Sequence, residues 1–151
     1  MRKFSDLLES INTSNSHDKI YSNMILLNHD EDQVLILRRS NYMRKFGGMF
    51  GFPGGSVDKK DNDSKEAAIR ELFEETGIEL TWNEKHNVKK YDSITNKDNS
   101  ISEYYITHLE TDKLPDIKLS KEHSKYEWFD DTSAKNKKWM PDVFQIIQKI
   151  L

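Results

Sequence analysis

One stretch, residues 54–78, limits most strongly what this chain can fold into, because it joins a Gly-Gly turn to the start and end signals of a helix. Asp63 is a preferred N-cap residue, and Glu66 three positions later completes a capping-box pattern. Gly77 suits the position just after a helix end. We therefore predict one amphipathic helix between these signals. Its predicted apolar face contains Ile69, Leu72, Phe73 and Thr76.

Three acids crowd the opposite face of this predicted helix. Glu71, Glu74 and Glu75 follow the helical i, i+3, i+4 spacing, at which like charges repel by about 0.2–0.5 kcal/mol per pair. Arg70 is placed to offset part of this charge. A divalent cation relieves the repulsion, and clustered carboxylates suit Mg²⁺, with Mn²⁺ as an alternative. A solvated acidic surface is the competing interpretation, but the Gly-Gly turn lets the backbone approach a ligand closely and favours a metal site.

This combination resembles the signature of the Nudix hydrolases, in which a glycine and an acid precede Arg-Glu, Glu-Glu and a final glycine. The match runs from Gly55 to the segment RELFEETGI, residues 70–78. The sequence departs from the signature in two ways: Asp61 stands where the family has Glu, and eight residues rather than seven separate it from Arg70. Both departures lie before the helix and leave the RExxEE core intact, although they leave the role of Asp61 open.

The resemblance implies a fold, a metal site and a reaction. The fold is of the α/β class, an α/β/α sandwich with a mixed β-sheet. The implied activity is Mg²⁺-dependent hydrolysis of the pyrophosphate bond in a nucleoside diphosphate derivative. The implied metal ligands are Glu71, Glu74 and Glu75 with the backbone at Gly54 or Gly55. Arg70 is expected to orient the glutamates, and the general base is left open among Glu122, Glu74 and Asp61.

Length and composition restrict the class of protein. A chain of 151 residues is expected to form a single domain, 1–151, with a hydrophobic core. A net charge of −3 argues against binding to long nucleic acid. The chain has no cysteine, no apolar signal-peptide core near its start and no stretch that predicts a membrane span, so we expect a cytoplasmic protein. The frequent Lys and Asn residues are typical of an AT-rich genome, such as that of a virus or phage.

A basic and glycine-rich segment precedes the signature. Arg38, Arg39 and Arg44 are candidates for binding phosphate, because guanidinium groups match phosphate oxygens, and a solubilising surface cluster is the alternative. Phe52 is a candidate substrate contact beside the Gly-Gly turn. The run RRSNYMRKFGGMFGFPGG, residues 38–55, is partly similar to the same region of coenzyme A pyrophosphatase-type members of the family.

The remaining sequence predicts strands and two further helices. Strands are predicted over 20–27, 33–38, 91–95 and 101–109, with a core strand ending at Trp128 and Phe129. Short helices are predicted over 4–11 and after Pro141, the latter with an apolar stripe. The stripe contains Val143, Ile146, Ile147 and Ile150. Strands and helices do not alternate, which argues against a doubly wound parallel sheet.

The substrate stays open within the family that the chain resembles. ADP-ribose, dinucleoside polyphosphates, FAD and coenzyme A all contain the required diphosphate, and an adenosine derivative is the first expectation. A nucleoside triphosphate or the capped 5′ end of RNA is the alternative. A binding module without catalysis is the third possibility, and the complete RExxEE set argues against it. The expected partner is a small nucleotide, and a homodimer is left open.

Overall fold

The computed structural model describes residues 19–132 and 136–151, so the predicted helix over 4–11 lies outside the described residues. Seven strands and three helices follow one another along these ranges. The strands are β1 (Ile20–Leu27), β2 (Val34–Arg39), β3 (Phe50–Gly51), β4 (Gly54–Ser56), β5 (Lys89–Thr95), β6 (Ile101–His108) and β7 (His123–Phe129). The helices are α1 (Ser64–Thr76), α2 (Trp82–His86) and α3 (Val143–Ile150).

The strands form one mixed sheet that splits near its centre. β1 pairs in parallel with β6, whereas β5 and β6, and β2 and β7, are antiparallel pairs. β1 and β2 form the predicted antiparallel pair but are paired in register at one position, Leu27 with Val34. Where these strands separate, β3 pairs with β2 and β4 pairs with β1. The glycine-rich segment that was predicted as a loop or short strand therefore enters the sheet between β1 and β2.

The core lies in two layers because side chains alternate across the sheet. On one face, Met24 and Leu26 pack with Leu72 of α1 and Leu80 near α2. On the other face, Ile25 of β1 packs against α3. Three α3 residues, Val143, Ile146 and Ile147, are buried there. Helices thus cover both faces of a mixed sheet, which confirms the predicted α/β class and the α/β/α arrangement.

Helix α1 has the predicted limits. Asp63 accepts a hydrogen bond from the backbone N–H of Glu66, and Gly77 adopts the left-handed conformation (φ 76°) that suits a glycine after a helix. The second half of the predicted capping box differs, because the Glu66 carboxylate accepts from the backbone N–H of Asn62 and not of Asp63. The placement of Phe73 on the apolar face was wrong: its side chain is 52% exposed.

Two local details differ from the predictions for the second half of the chain. The segment between α1 and β5, for which no helix was predicted, contains α2, whose start is a complete capping box between Thr81 and Glu84. Pro141 does not lie in the first turn of α3, since the helix begins at Val143 and its N-cap residue is Asp142. The core strand β7 ends at Phe129 as predicted. None of the helices in the described ranges has the length and apolar character needed to cross a bilayer.

Candidate functional site

A cleft of about 1280 Å³ opens beside the N-terminal half of β1, where the sheet splits. One wall consists of β4 and the acidic side of α1. A second wall comes from residues 43, 45, 46 and 120–123, and a third from the β5–β6 turn and the start of α3. The split in the sheet thus brings the Gly-Gly turn, the acidic helix and the two loops around a single cavity.

Glu75 is the most buried acid of the cleft. Its side chain faces β4, where its Oε1 accepts a hydrogen bond from the backbone N–H of Gly54 at 3.0 Å. The residue is 4% exposed. Burial, followed by the negative charge of Glu71, raises the pKa of Glu75 to about 9, and the charge of Glu122 adds to this rise. A buried carboxyl group with this pKa holds a proton at neutral pH unless a cation replaces it.

Glu71 lies one helical turn before Glu75 and leans over Gly55. A Cβ atom at Gly55 would lie within 2.6 Å of the Glu71 carboxylate carbon, so only glycine leaves room for this carboxylate. Burial raises the pKa of Glu71 against the opposing effect of Arg70, and the charge of Glu74 contributes to the rise. Glu71 and Glu75 are therefore two neighbouring, desolvated acids beside the Gly-Gly backbone.

Arg70 is the centre of a polar network that holds the acidic side of α1. Its Nε and Nη2 atoms donate to the two carboxylate oxygens of Asp61, each at 2.8 Å. Its Nη1 donates to Glu74 at 3.0 Å and to Glu71 at 3.2 Å. A further bond runs to the backbone oxygen of Ser56. Asp61, whose role the sequence left open, is therefore a buried partner of Arg70, and its pKa is lowered mainly by that hydrogen bond.

All three predicted metal-ligating glutamates line the cleft, but they differ in exposure. Glu71 and Glu75 form the less exposed pair, whereas Glu74 is about half exposed and is bound to Arg70. Within residues 19–132 and 136–151, no three acidic or imidazole side chains stand close enough together to enclose a metal ion by themselves. The pair still fits a hard cation, since Mg²⁺ is usually held by one or two carboxylates and keeps its other positions for water and phosphate oxygens.

The predicted phosphate-binding arginines fall into two groups. Arg39 lines the cleft, and its Nε donates to the backbone oxygen of Lys45, which also lines the cleft. Arg38 does not line the cleft, because its guanidinium group binds Ser124 and Asn41. Arg44 is exposed and also lies outside the cleft lining. Neighbouring strand residues point to opposite faces, so the structure brings only Arg39 of this adjacent pair to the site.

The loop before β7 supplies the wall opposite the helix. Glu122 is exposed, lines the cleft and contributes its charge to the environment of Glu75. Lys121 and His123 flank it and also line the cleft, although sequence analysis did not single them out. The Nδ1 atom of His123 is buried and has no hydrogen-bond partner among residues 19–132 and 136–151. Burial, followed by the charge of Arg39, lowers the pKa of His123 to about 4. The sequence signal that could have identified Lys121 and His123 as cleft residues was their position next to Glu122.

Phe52 and the start of α3 form the apolar end of the cleft. Phe52 is buried and packs edge-to-face against Tyr104 of β6, with ring centroids 6.1 Å apart. Met140 and Asp142 line the same cleft. Phe52 was a predicted substrate contact, whereas Asp142 was not predicted, because nothing in the local sequence shows that the chain before α3 returns to the Gly-Gly turn.

Comparisons with known proteins agree with this geometry. The family model described as NUDIX domain matches residues 19–150. The NudL protein of Yersinia enterocolitica, described as an uncharacterized Nudix hydrolase, is 44% identical over 48 residues, or 32% of this chain and 25% of that protein. Subunit 2 of the mRNA decapping complex of Schizosaccharomyces pombe is 33% identical over 79 residues, or 52% of this chain and 10% of that protein. The chain thus matches about a quarter of the length of the NudL relative.

A solved structure shows the same fold. The NUDIX domain of Shewanella oneidensis NrtR, described as a cocrystal with ADP ribose, has a TM-score of 0.74 and 18% identity. The match covers 99% of this chain and 96% of that chain. Because the family model spans almost all described residues and the sheet, acidic helix and Gly-Gly turn are in place, this chain belongs to the Nudix hydrolase family.

Proposed function

We propose that this chain is a pyrophosphohydrolase that uses a divalent metal ion to cleave a phosphoanhydride bond in a nucleoside diphosphate derivative. The observation that carries the proposal is the pair of acids formed by buried Glu75 and partly buried Glu71, beside the Gly54–Gly55 backbone in a cleft of about 1280 Å³. Mg²⁺ is the ion we favour for this all-oxygen set, and Mn²⁺ is the alternative.

The chain's own residues have distinct roles in this proposal. Glu71 and Glu75 hold the metal ion, with a backbone oxygen of Gly54 or Gly55 as a further ligand. The bound ion would polarise phosphate oxygens and lower the pKa of a bound water. Arg70 positions Glu71 through its 3.2 Å bond and is itself fixed by Asp61. This arrangement keeps the acids in place without requiring Arg70 to touch substrate.

The opposite wall supplies positive charge and a proton acceptor. Arg39, Lys45 and Lys121 line the cleft and are placed to bind phosphate oxygens of the substrate. Glu122 is the general base we favour, since Asp61 is held by Arg70 on two sides and Glu74 is also bound to Arg70. Water attacks one phosphorus, its proton passes to the Glu122 carboxylate, and the bond from phosphorus to the bridging oxygen breaks.

Three substrate groups are open to this chemistry. The first is ADP-ribose, a dinucleoside polyphosphate or FAD, in line with the adenosine preference of the sequence analysis and with the ADP ribose named for the NrtR domain. The second is a nucleoside triphosphate or an RNA 5′ end, in line with the decapping subunit among the relatives, while coenzyme A remains a third diphosphate. A cytoplasmic location, a homodimer and a single domain over 1–151 stay predictions.

A hydrolysis screen tests the proposal. The protein is incubated with each diphosphate compound in the presence and absence of Mg²⁺ or Mn²⁺, and products are identified by mass. We expect metal-dependent cleavage of a phosphoanhydride bond, and Glu75→Gln should lower the rate by a factor of about 10³ or more. The matched control is Glu79→Gln, an exposed acid just after α1 that should retain the wild-type rate. Equal rates for the two variants would reject the metal-site assignment.

The two adjacent arginines test the phosphate-binding wall. Arg39→Ala should raise KM about tenfold, because a charged hydrogen bond to phosphate is lost. Arg38→Ala removes the same charge from the neighbouring position but should leave KM unchanged, since its guanidinium group binds Ser124 and Asn41 outside the cleft. Equal increases in KM would indicate a general charge effect and would remove Arg39 from the site.

A further inference from the structure

The segment 120–123, which leads into β7 and carries Glu122, is attached to α1 at its start. The backbone N–H of Ser120 donates to the backbone oxygen of Glu75 at 3.2 Å. The side chain of Glu75 is the most buried acid of the cleft, so this bond holds the start of the segment against the turn of α1 that faces the proposed metal site. Glu122 comes after this bond in the chain, and its position also depends on what holds the other end of the segment.

Ser40, the residue directly after β2, holds that other end. Its backbone N–H donates to the backbone oxygen of Glu122 at 2.8 Å, and its Oγ donates to the backbone oxygen of Lys121 at 2.9 Å. These two carbonyl groups lie immediately before and after the Cα atom of Glu122. Ser40 is 8% exposed, so water competes little for either bond. The hydroxyl group of Tyr42 also donates to the Lys121 oxygen.

The pairing of β2 with β7 changes register at the same point. Arg38 is opposite Lys125, whereas Arg39 is opposite His123, so β7 contains one extra residue between these pairs. A bulge of this kind bends a strand and redirects its side chains. The regular ladder therefore ends here, and the residues that precede the bulge are held by the two bonds from Ser40.

The Glu122 carboxylate depends on the backbone for its direction. The side chain is exposed and lines the cleft. Within the described ranges, 19–132 and 136–151, this carboxylate accepts no hydrogen bond that would hold it. Because the carbonyl groups on both sides of its Cα atom are bound, rotation of the backbone is restricted there, and the Cα–Cβ bond of Glu122 keeps one direction.

From these contacts we infer that Ser40 is a positioning residue, which aims Glu122 at the proton it accepts. The inference rests on the proposed function, in which water bonds to phosphorus as its proton passes to the Glu122 carboxylate. Ser40 does not line the cleft and acts only through the loop. With one end of the segment bound to Glu75 and the other to Ser40, the proton acceptor and the metal-binding acids are held in one frame.

Steady-state kinetics of single and double variants test this role. The assay contains Mg²⁺ and whichever of ADP-ribose, FAD, coenzyme A and a nucleoside triphosphate the wild type cleaves fastest. Ser40→Ala removes the bond from Oγ but keeps the backbone bond to Glu122, so kcat should fall about tenfold. Glu122→Gln should lower kcat about 10²-fold. Adding Ser40→Ala to Glu122→Gln should change kcat by less than about twofold, because no proton acceptor remains to be misplaced.

The matched control is Thr107→Val. Thr107 is also buried, and its Oγ1 also donates to a backbone oxygen at 2.9 Å, that of Glu84, outside the cleft lining. Thr107→Val and Ser40→Ala each remove one buried bond of the same kind, so they should lower the urea midpoint of unfolding to a similar extent. Thr107→Val should nevertheless keep kcat within about twofold of the wild type.

Hydrogen–deuterium exchange of the protein without substrate gives a readout that does not depend on turnover. Ser40→Ala should speed exchange in a peptide covering 119–124 by about three- to tenfold, because the loop loses one of its anchoring bonds. Thr107→Val should leave the exchange of this peptide unchanged.

The outcomes separate this inference from the proposed function. A wild-type kcat in Ser40→Ala or in Glu122→Gln would overturn the inference. An equal loss of kcat from Ser40→Ala with and without Glu122→Gln, or unchanged exchange of 119–124, would also overturn it. Faster loop exchange in a protein that cleaves none of the compounds would keep Ser40 as the anchor of the loop and reject the proposed function alone. Metal-dependent cleavage that Ser40→Ala leaves unchanged would reject this inference alone.

Discussion

Replacing Asp61 by Asn should destabilise the protein by about 2–3 kcal/mol, because Asp61 is the principal anchor of Arg70. Two hydrogen bonds of 2.8 Å join the Asp61 carboxylate to the guanidinium group. The side chain of Asp61 is 3% exposed and that of Arg70 is 21% exposed. The pair is thus shielded from water and differs from a surface ion pair, for which the contribution is about 0.2–1 kcal/mol.

The expected magnitude follows from what remains after the substitution. Removing one partner of a buried ion pair costs about 3–5 kcal/mol when the other charge is left alone. Arg70 is not left alone, since it keeps bonds to Glu71, Glu74 and the backbone oxygen of Ser56. The asparagine also retains one oxygen acceptor. These remaining contacts bring the expected cost below the upper range and lead to the value of about 2–3 kcal/mol.

Urea unfolding at pH 7, followed by circular dichroism, measures this cost as the difference in free energy of unfolding. The control is Asp30→Asn, the same change at a side chain that is 70% exposed, which should shift stability by about 0.5 kcal/mol or less. A double-mutant cycle with Arg70→Gln should give a coupling energy of about 2 kcal/mol. If Asp61→Asn is as stable as Asp30→Asn, or the coupling is zero, the anchoring role of Asp61 is wrong.

Three further changes test the core, a buried histidine and the Gly-Gly turn. Leu72→Ala should cost about 3 kcal/mol because Leu72 is fully buried, whereas Phe73→Ala next to it should cost under about 1 kcal/mol at 52% exposure; urea unfolding of both variants measures the contrast. His123 is neutral in the folded protein, because its pKa is lowered to about 4, but gains a proton near pH 6.5 when unfolded. The stability that it contributes is therefore present above pH 6.5 and lost as the pH falls towards 4. The free energy of unfolding should fall between pH 7 and pH 5 by about 2 kcal/mol more in the wild type than in His123→Gln. Gly55→Ala should lower kcat about 10²-fold in the hydrolysis assay with little loss of stability, because the added methyl group displaces the flexible Glu71 carboxylate; a wild-type kcat would show that this carboxylate is not needed where the structure places it.

Local signals were sufficient to predict helix α1. Its N-cap and its terminal glycine depend on interactions within a few residues, and these are readable from the sequence. The apolar run of residues 24–27 in β1 likewise indicates a strand segment that is covered on both faces. Local signals do not specify how wide a face of the helix is buried by neighbouring elements. Phe73 has the right spacing for the core, yet none of the elements that the structure describes packs over its side of α1 closely enough to bury it.

The composition of the cleft depends on contacts between distant parts of the chain. Arg38 and Arg39 are indistinguishable in sequence, and which one meets the cleft is decided by the face that β2 presents to its neighbours. Asp142 reaches the cleft because the backbone N–H of Met140 binds the oxygen of Phe50. That contact joins residues ninety positions apart, and no periodicity in either segment predicts it. By contrast, the capping box of α2 was a local signal present in the sequence, and sequence analysis missed it.

Asp61 shows how a departure from a family signature is compatible with the same site. The extra residue before the helix lengthens the loop, and the aspartate is one methylene shorter than the glutamate that it replaces. A turn offsets both changes: the backbone N–H of Asp61 binds the oxygen of Asp58, and the N–H of Asp58 binds the Asp61 carboxylate at 2.8 Å. This turn draws the loop back towards α1, so that the shorter side chain still reaches Arg70. What matters to the site is that the Asp61 carboxylate reaches Arg70, and the length of the loop matters less. The double-mutant cycle measures this contact as a coupling energy between the two side chains.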